Sequence, residues 1–474
     1  MMHHHLITLG LIALALTPST SSSQVGASRN ATLLGRFDPS GNSYNDVWGY
    51  VAPDGREYAV LGTTRGTFIV NCSVPSNPRQ VAYFSGPSST WRDMRSYRNY
   101  VYVVTEGGGG VQIIDMADPD NPRFVKTWGQ SLFSRAHNVA LDTDTGMLYP
   151  CGTNNGTPIL SLAEPENPVF VGRYSSAYVH DLHVQDGIAH MGEINNGRYR
   201  TVDITNPSNT RVLGSANVSS CHTAWPSRDG TVAVTTSERS GGGLTFFDIS
   251  NNRLPIRLGT FKTGRSTTSV HNAYMLDRVC HASYYSEGYQ SLDLSDPSNP
   301  VRVAFYDSSS STSGYSGAWG CYPFMPSGVI YLSDMSNGLH LIDSKSTSDY
   351  YGPATAGAGG ENPEIMAFGC SFSGNPNFRI DLENAPPNTP VALLIGDASS
   401  ENTAVAGVNV MVDLSGQLLI VNTQTDASGN ASVSIPLSDG SIPATLYSQF
   451  IVVDSGSAQG FSASRGMKWD VFAP

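Results

Sequence analysis

An eight-residue turn recurs along this chain at a nearly constant interval, and no other feature limits the fold as strongly. It reads NCSVPSNP at 71–78, DMADPDNP at 115–122, SLAEPENP at 161–168, DITNPSNT at 203–210 and DLSDPSNP at 293–300, with weaker copies starting at Asp248 and Asp343. The first residues, 71, 115, 161, 203, 248, 293 and 343, are 42 to 50 positions apart. A period in the forties with short apolar runs between turns is the pattern of propeller blades. The second repeat divides into four strand-like pieces, 92–95, 100–105, 110–115 and 123–126. Four strands per repeat is what a blade needs.

The piece after each turn reads QVAYF (80–84), RFVKTW (123–128), VFVGRY (169–174), RVLGSA (211–216), IRLGTF (256–261) and VRVAFY (301–306), and it is missing after Asp343. A seventh copy, TLLGRF, stands at 32–37. The reading is an all-β, seven-bladed propeller over 30–345 whose last blade is closed by the N-terminal strand, which leaves no open edge. Residues 346–370 are rich in Ser, Gly, Ala and Pro and read as a linker. Residues 371–474 hold short apolar strands between Gly, Pro and Asn turns and are expected to form a C-terminal β-sandwich.

Residues 1–24 have signal-peptide anatomy, with an apolar run over 6–16 too short to span a bilayer. No later run is long enough for a membrane helix, so a secreted or cell-surface protein is expected. With 27 Lys+Arg against 39 Asp+Glu the net charge is -12, and without a basic cluster nucleic acid is not an expected partner. In an oxidising compartment the six cysteines are expected to form one to three disulfides. Cys280 with Cys321 is the favoured pair, since the repeat phase puts them on neighbouring strands.

With the phase fixed, equivalent positions can be compared. The innermost strands begin Asn45-Asp46, Arg92-Asp93, His137-Asn138, His180-Asp181, His222-Thr223, His271-Asn272 and Trp319-Gly320. Four consecutive repeats place His in one column. A second column, at the end of the second strand, holds Arg65, Glu106, Thr153, Glu193, Glu238, Glu287 and Asp334. Both columns are expected at one mouth of the channel. Neutral imidazoles and carboxylates gathered there suit a divalent ion such as Zn, Mn, Fe or Ni, and would equally suit acid–base chemistry. The competing reading is structural, with each His bonded to a neighbouring blade. The Asp or Asn after each His reads as a turn cap, and Asp46, Asp93 and Asp181 are also candidate ligand-binding residues at the mouth, with Trp319. Three residues past the His column stand Trp48, Trp225, Tyr274 and Tyr322, either a platform for a sugar or cation or inter-blade core.

The repeat YVYVVTEGGGGVQIIDMADPDNP (100–122) resembles the LVIVD repeat of bacterial and archaeal surface propellers. The order of AHN (136–138), YVHD (178–181), CHTAW (221–225), VHNAY (270–274) and GAWGCYPFMPSGVIYLSDMSNGL (317–339) is similar to the choice-of-anchor B family over about 30–345. That resemblance implies export and surface residence and carries no settled activity. The C-terminal segment, with NPNFRIDLENAPPNTPVALLIG (375–396), is similar to β-domains of secreted proteins in planctomycete-like bacteria, where the family often has a membrane or sorting anchor. Two functions follow as expectations. One is a binding or scaffold protein of adhesion type, taking a surface polymer, glycan or protein. The other is a metal-dependent hydrolase or lyase using the His and Glu columns.

Overall fold

A computed structural model describes residues 26–39 and 41–474, so the expected signal peptide lies outside the described residues. The described chain is all-β apart from one 3-10 turn, and none of its helices is long and apolar enough to cross a membrane. Seven antiparallel sheets of four strands follow one another, one of them extended by a fifth strand, Ser28–Arg29. Their innermost strands are Tyr44–Val51, Arg92–Tyr97, Asn138–Asp142, Asp181–Gln185, Cys221–Pro226, Ala273–Leu276 and Ala318–Tyr322. In the seventh sheet the outer strand is Ala31–Phe37, paired antiparallel with Gly338–Ser344. The copy at the start of the chain therefore takes the position missing after Asp343.

The recurring turn owes its shape to short polar side chains that bond their own backbone two residues on. Asn71, Asp115, Asp203, Asp248 and Asp293 each accept from the N–H two positions later, at 2.9 to 3.1 Å. Asp118, Asn206, Asn251 and Asp296 repeat the device inside the same turns, at 3.0 to 3.2 Å. The strand after the turn then bulges in all seven sheets. At Gly35, Gly172, Gly214 and Gly259, beside these bulges, a Cβ would strike the turn backbone of the following repeat, at Pro75, Pro207, Asn252 and Pro297. Glycine lets adjacent repeats touch there.

Apolar side chains from each sheet meet those of the next, and seven buried clusters fill the seven gaps, including the gap between last sheet and first, where Tyr44 and Leu61 meet Tyr331 and Leu341. The C-terminal unit has a two-stranded sheet, Ser399–Val405 with Val408–Val412, and two larger sheets. One contains Pro390–Gly396, Leu418–Gln424, Ala444–Val453 and Gly466–Val471; the other contains Glu364–Phe368, Arg379–Glu383 and Ala431–Ser434. Ile380, Leu382, Leu393, Phe450 and Trp469 form the core between them. Two strands, Asp349–Tyr351 and Glu364–Phe368, lie within the stretch expected as a linker, so these sheets begin before residue 371. Polar and small residues there suit edge strands as well as linkers, which is why composition misread them.

The expected disulfides do not form: all six cysteines are buried free thiols. Cys280 packs in the cluster between the fifth and sixth sheets and Cys321 in the cluster between the sixth and seventh. They lie on opposite sides of the sixth sheet, and each serves as a small apolar residue. A thiol reagent is therefore expected to titrate six thiols per chain in denaturant and none rapidly in the folded protein; a native count near zero with fewer than six after unfolding would reveal a bridge.

Three histidines outside the channel column pair with tyrosine hydroxyls: His190 with Tyr199 and His281 with Tyr289, both at 2.7 Å, and His340 with Tyr306 at 3.1 Å. Burial pushes His190 and His281 down to about 3 and His340 down to about 4. A depressed imidazole stabilises the fold fully above its unfolded value of about 6.5, and that contribution is lost as pH falls toward the folded value. Each costs about 1.4 kcal/mol per pH unit over that range. Thermal unfolding of the His340→Gln variant should accordingly show a shallower decline between pH 6.5 and 4 than the unsubstituted protein; identical slopes would remove His340 from the account.

Candidate functional site

Each innermost strand runs along the channel, so one column of the repeat becomes one layer of side chains around the axis. The histidine column makes the first layer. Ring centroids of His137 and His180 are 4.2 Å apart, those of His180 and His222 4.2 Å, those of His222 and His271 4.3 Å, and His271 lies 4.6 Å from the Trp319 ring. The structure brings these four histidines side by side. All four are buried, from 8% exposed at His137 to 0% at His222.

Their partners differ. His137 Nδ1 lies 2.7 Å from Glu106 Oε1, and His271 Nδ1 lies 2.8 Å from the Trp319 carbonyl oxygen. Both oxygens accept, so each Nδ1 carries a proton; at His271 this leaves Nε2 as a lone pair. His180 Nδ1 and both ring nitrogens of His222 are buried without a hydrogen-bond partner. Glu238 Oε2 stands 3.6 Å from His222 Nε2, while its Oε1 accepts from the Tyr285 hydroxyl at 2.7 Å. Burial and the neighbouring imidazoles push His180 and His222 well below the usual histidine value, and burial takes His271 to about 3. These rings are neutral. Glu106 is held low by its bond to His137, whereas burial raises Glu238.

Only two members of the acidic column, Glu106 and Glu238, reach the imidazoles. Glu193 is enclosed by Arg200 at 2.5 and 3.0 Å, with Tyr174 and Asn196. Glu287 pairs with Arg265 at 2.9 Å. Asp334 accepts from Ser308 and from the N–H groups of Ser336 and Asn337. These three hold local turns because nearby donors, which column alignment does not reveal, claim them first.

The second layer is the acidic one, and it sits inside the channel rather than at a mouth. Asp46, Asp93 and Asp181 are each 6% exposed or less. Asp93 accepts from the Val139 N–H of the next sheet at 2.8 Å and from Arg95 Nη1 at 2.7 Å. Asp46 accepts from Asn272 Nδ2 at 2.9 Å, tying the first sheet to the sixth. Burial, then the nearby Asp93, pushes Asp46 up to about 8; burial pushes Asp181 up to about 6 against the pull of Arg95. Asp46 and Asp93 tie blades together, and all three acids are buried among the innermost strands.

The third layer lies three residues, roughly 10 Å, past the His layer along the strands. Trp48 meets Tyr322 at 4.8 Å and Trp225 meets Tyr274 at 4.9 Å, with Phe324 5.7 Å from Trp225. His183 stacks on Trp225 at 3.7 Å, and the Arg95 guanidinium lies 4.0 Å from the Trp48 ring centre. Trp48, Arg95, Leu182, His183, Trp225 and Phe324 bound a cavity of about 320 Å³. Tyr274 is itself buried core, 2% exposed. A larger cavity of about 800 Å³ shares Trp225 and Phe324 and is walled on its far side by Tyr350, Asn362, Glu364 and Arg465 of the C-terminal unit. Arg95 and His183 were missed by sequence reasoning although both occupy the column of Trp48 and Trp225; selecting only aromatics from that column hid them. Nothing in the sequence signals the far wall.

Comparison with known proteins agrees with this architecture. The LVIVD repeat family model matches residues 92–128, the second sheet. No curated protein matches. Among solved structures, that titled "Structure of U3-55K" is 10% identical, with a TM-score of 0.50, covering 66% of this chain and 98% of that one. The β-propeller domain of Myceliophteria thermophila Cps50 (Swd1) is 11% identical, with a TM-score of 0.49 over 66% of this chain and 98% of that one. A functionally unknown protein from Desulfotomaculum acetoxidans is 13% identical, with a TM-score of 0.44 over 57% and 87%. At such identities the likeness concerns fold alone. The chain is a repeat β-propeller that carries an LVIVD repeat.

Proposed function

We propose that this chain is an exported, seven-bladed propeller of the choice-of-anchor B type with a C-terminal β-sandwich, and that it acts as a binding or scaffold protein. Its ligand, a glycan or other surface polymer, seats between the aromatic mouth and the C-terminal unit. The observation that carries this reading is the pair of adjoining cavities, about 800 and 320 Å³, that share Trp225 and Phe324. Concave sites between domains, with aromatic walls and a few polar groups, are where ligands are usually held.

The chemistry of the lining favours a ligand without strong charge. Arg228 is engaged by Glu364 at 2.9 Å and Glu383 at 2.8 Å, and Arg465 donates to the Tyr350 carbonyl at 3.0 Å. Arg228 is thus neutralised by two acids, and Arg465 is tethered to the backbone. What remains for a ligand is aromatic surface and the amide of Asn362, a combination suited to the apolar faces and hydroxyl edges of sugar rings. The alternative, a metal-dependent hydrolase or lyase, has less support, because three of the five acids it needs are engaged elsewhere. Trp225→Ala is expected to weaken binding on a glycan and surface-polymer array about tenfold, in keeping with one lost aromatic contact plus its buried area. Unchanged binding would remove the cleft from the reading.

A further inference from the structure

The imidazole layer at the other mouth has its own chemistry. We propose that His137, His180 and His222 hold one divalent transition-metal ion, with Glu106 as the carboxylate that orients His137. One ring nitrogen from each of the three lies within 4.8 Å of the others. Tetrahedral zinc with Zn–N bonds of about 2.0–2.1 Å needs nitrogens roughly 3.3 Å apart, so small side-chain rotations complete the set.

Hydrogen bonding separates this reading from a purely structural stitch. A stitch satisfies at least one ring nitrogen, as His190, His281 and His340 show by directing Nδ1 to a tyrosine, with Nε2 of His281 and His340 left unpartnered. His222 is fully buried and neither of its nitrogens has a partner; His180 Nδ1 has none either. Burying such groups unpartnered is costly, and stacking neutral imidazoles does not satisfy them. A metal ion accepts the orphaned lone pairs. The Glu106–His137 bond adds the outer contact that metal-ligating histidines ordinarily have, fixing the tautomer and leaving Nε2 free.

The all-nitrogen set defines the ion. Imidazole suits Zn²⁺, Co²⁺, Ni²⁺ and Cu²⁺, whereas Ca²⁺ and Mg²⁺ require oxygen ligands. A second group, His222, Glu238 and His271, shares His222 and competes for the ion. It is the weaker set. Glu238 is already bonded by Tyr285, and it offers two imidazoles instead of three. This site and the aromatic cleft sit at opposite mouths, so metal uptake and glycan binding succeed or fail independently.

The test uses the full chain with His3, His4 and His5 replaced by Ser, to silence the N-terminal imidazoles, after chelator treatment and dialysis. Titration with Co²⁺ followed by visible absorption, and competition with Zn²⁺, should give one equivalent bound, tighter than about 1 µM. His180→Ala should weaken binding at least 100-fold. Glu106→Gln, at a partly exposed position, should weaken it about 10- to 100-fold and so reads the site even if His180→Ala fails to fold. The proposal is overturned by the absence of Co²⁺ and Zn²⁺ uptake, or by uptake unchanged in His180→Ala or Glu106→Gln. Loss of uptake in Glu238→Gln and His271→Ala with His180→Ala unaffected would place the ion in the competing set and overturn it equally.

Discussion

The antiparallel pairing of Ala31–Phe37 with Gly338–Ser344 holds the ring shut, and the channel chemistry depends on it. Without that strand the seventh sheet would expose an unpaired edge, and the cluster that joins Tyr331 and Leu341 to Tyr44 and Leu61 would lose its fixed distance. Closure also determines how far apart innermost strands stand. Imidazoles on consecutive strands can approach to about 4 Å between ring centres only because each strand is locked between two neighbours, all the way round.

Inside that ring, position in the repeat decides depth and the individual repeat decides chemistry. The His layer, the Asp layer and the aromatic layer are successive levels of the same strands. Polar residues in such a place must be satisfied across blades, and the Asp layer shows how: Asp93 accepts from Val139, and Asp46 from Asn272. Arg95 then lies between an acid below and Trp48 above, so a buried cation is held by an ion pair and an aromatic face together. In the His layer the imidazole nitrogens left without a hydrogen-bond partner are His180 Nδ1 and both of His222.

The fold was largely legible because its signals are periodic and local. The turn chemistry of Asp115 or Asp293 lies within four residues of sequence, and the strand at 32–37 announced itself as the missing copy. Alignment of repeats likewise exposed the His column, since equal phase means equal depth. What stayed hidden depends on the direction a side chain takes. Cys280 and Cys321 are on neighbouring sheets yet pack on opposite sides of the sixth. Glu193 belongs to the acidic column but turns to Arg200, seven residues on and local to its own blade. The strands at 349–351 and 364–368 are polar edges that composition could not tell from a linker.

One copy of the turn carries a second duty, which explains why the two mouths differ. Asp293 Oδ1 accepts from Ser295 as its counterparts do in other repeats, but Oδ2 accepts from the Cys370 N–H at 2.5 Å. Cys370, Phe372 and Phe472 pack with Val279 and Val303 beside it, and Arg228 adds its pairs to Glu364 and Glu383. These contacts seat the C-terminal unit over the fifth and sixth sheets, on the side to which the third layer opens. The aromatic mouth therefore gains a wall and becomes a cleft. The histidine mouth keeps water from its imidazoles with its own rings, Tyr285 at 2% exposed and Trp319 at 7%. A scaffold of near-identical repeats thus presents two chemically unlike ends, one shaped by a docked domain and the other by what four neighbouring repeats place in one column.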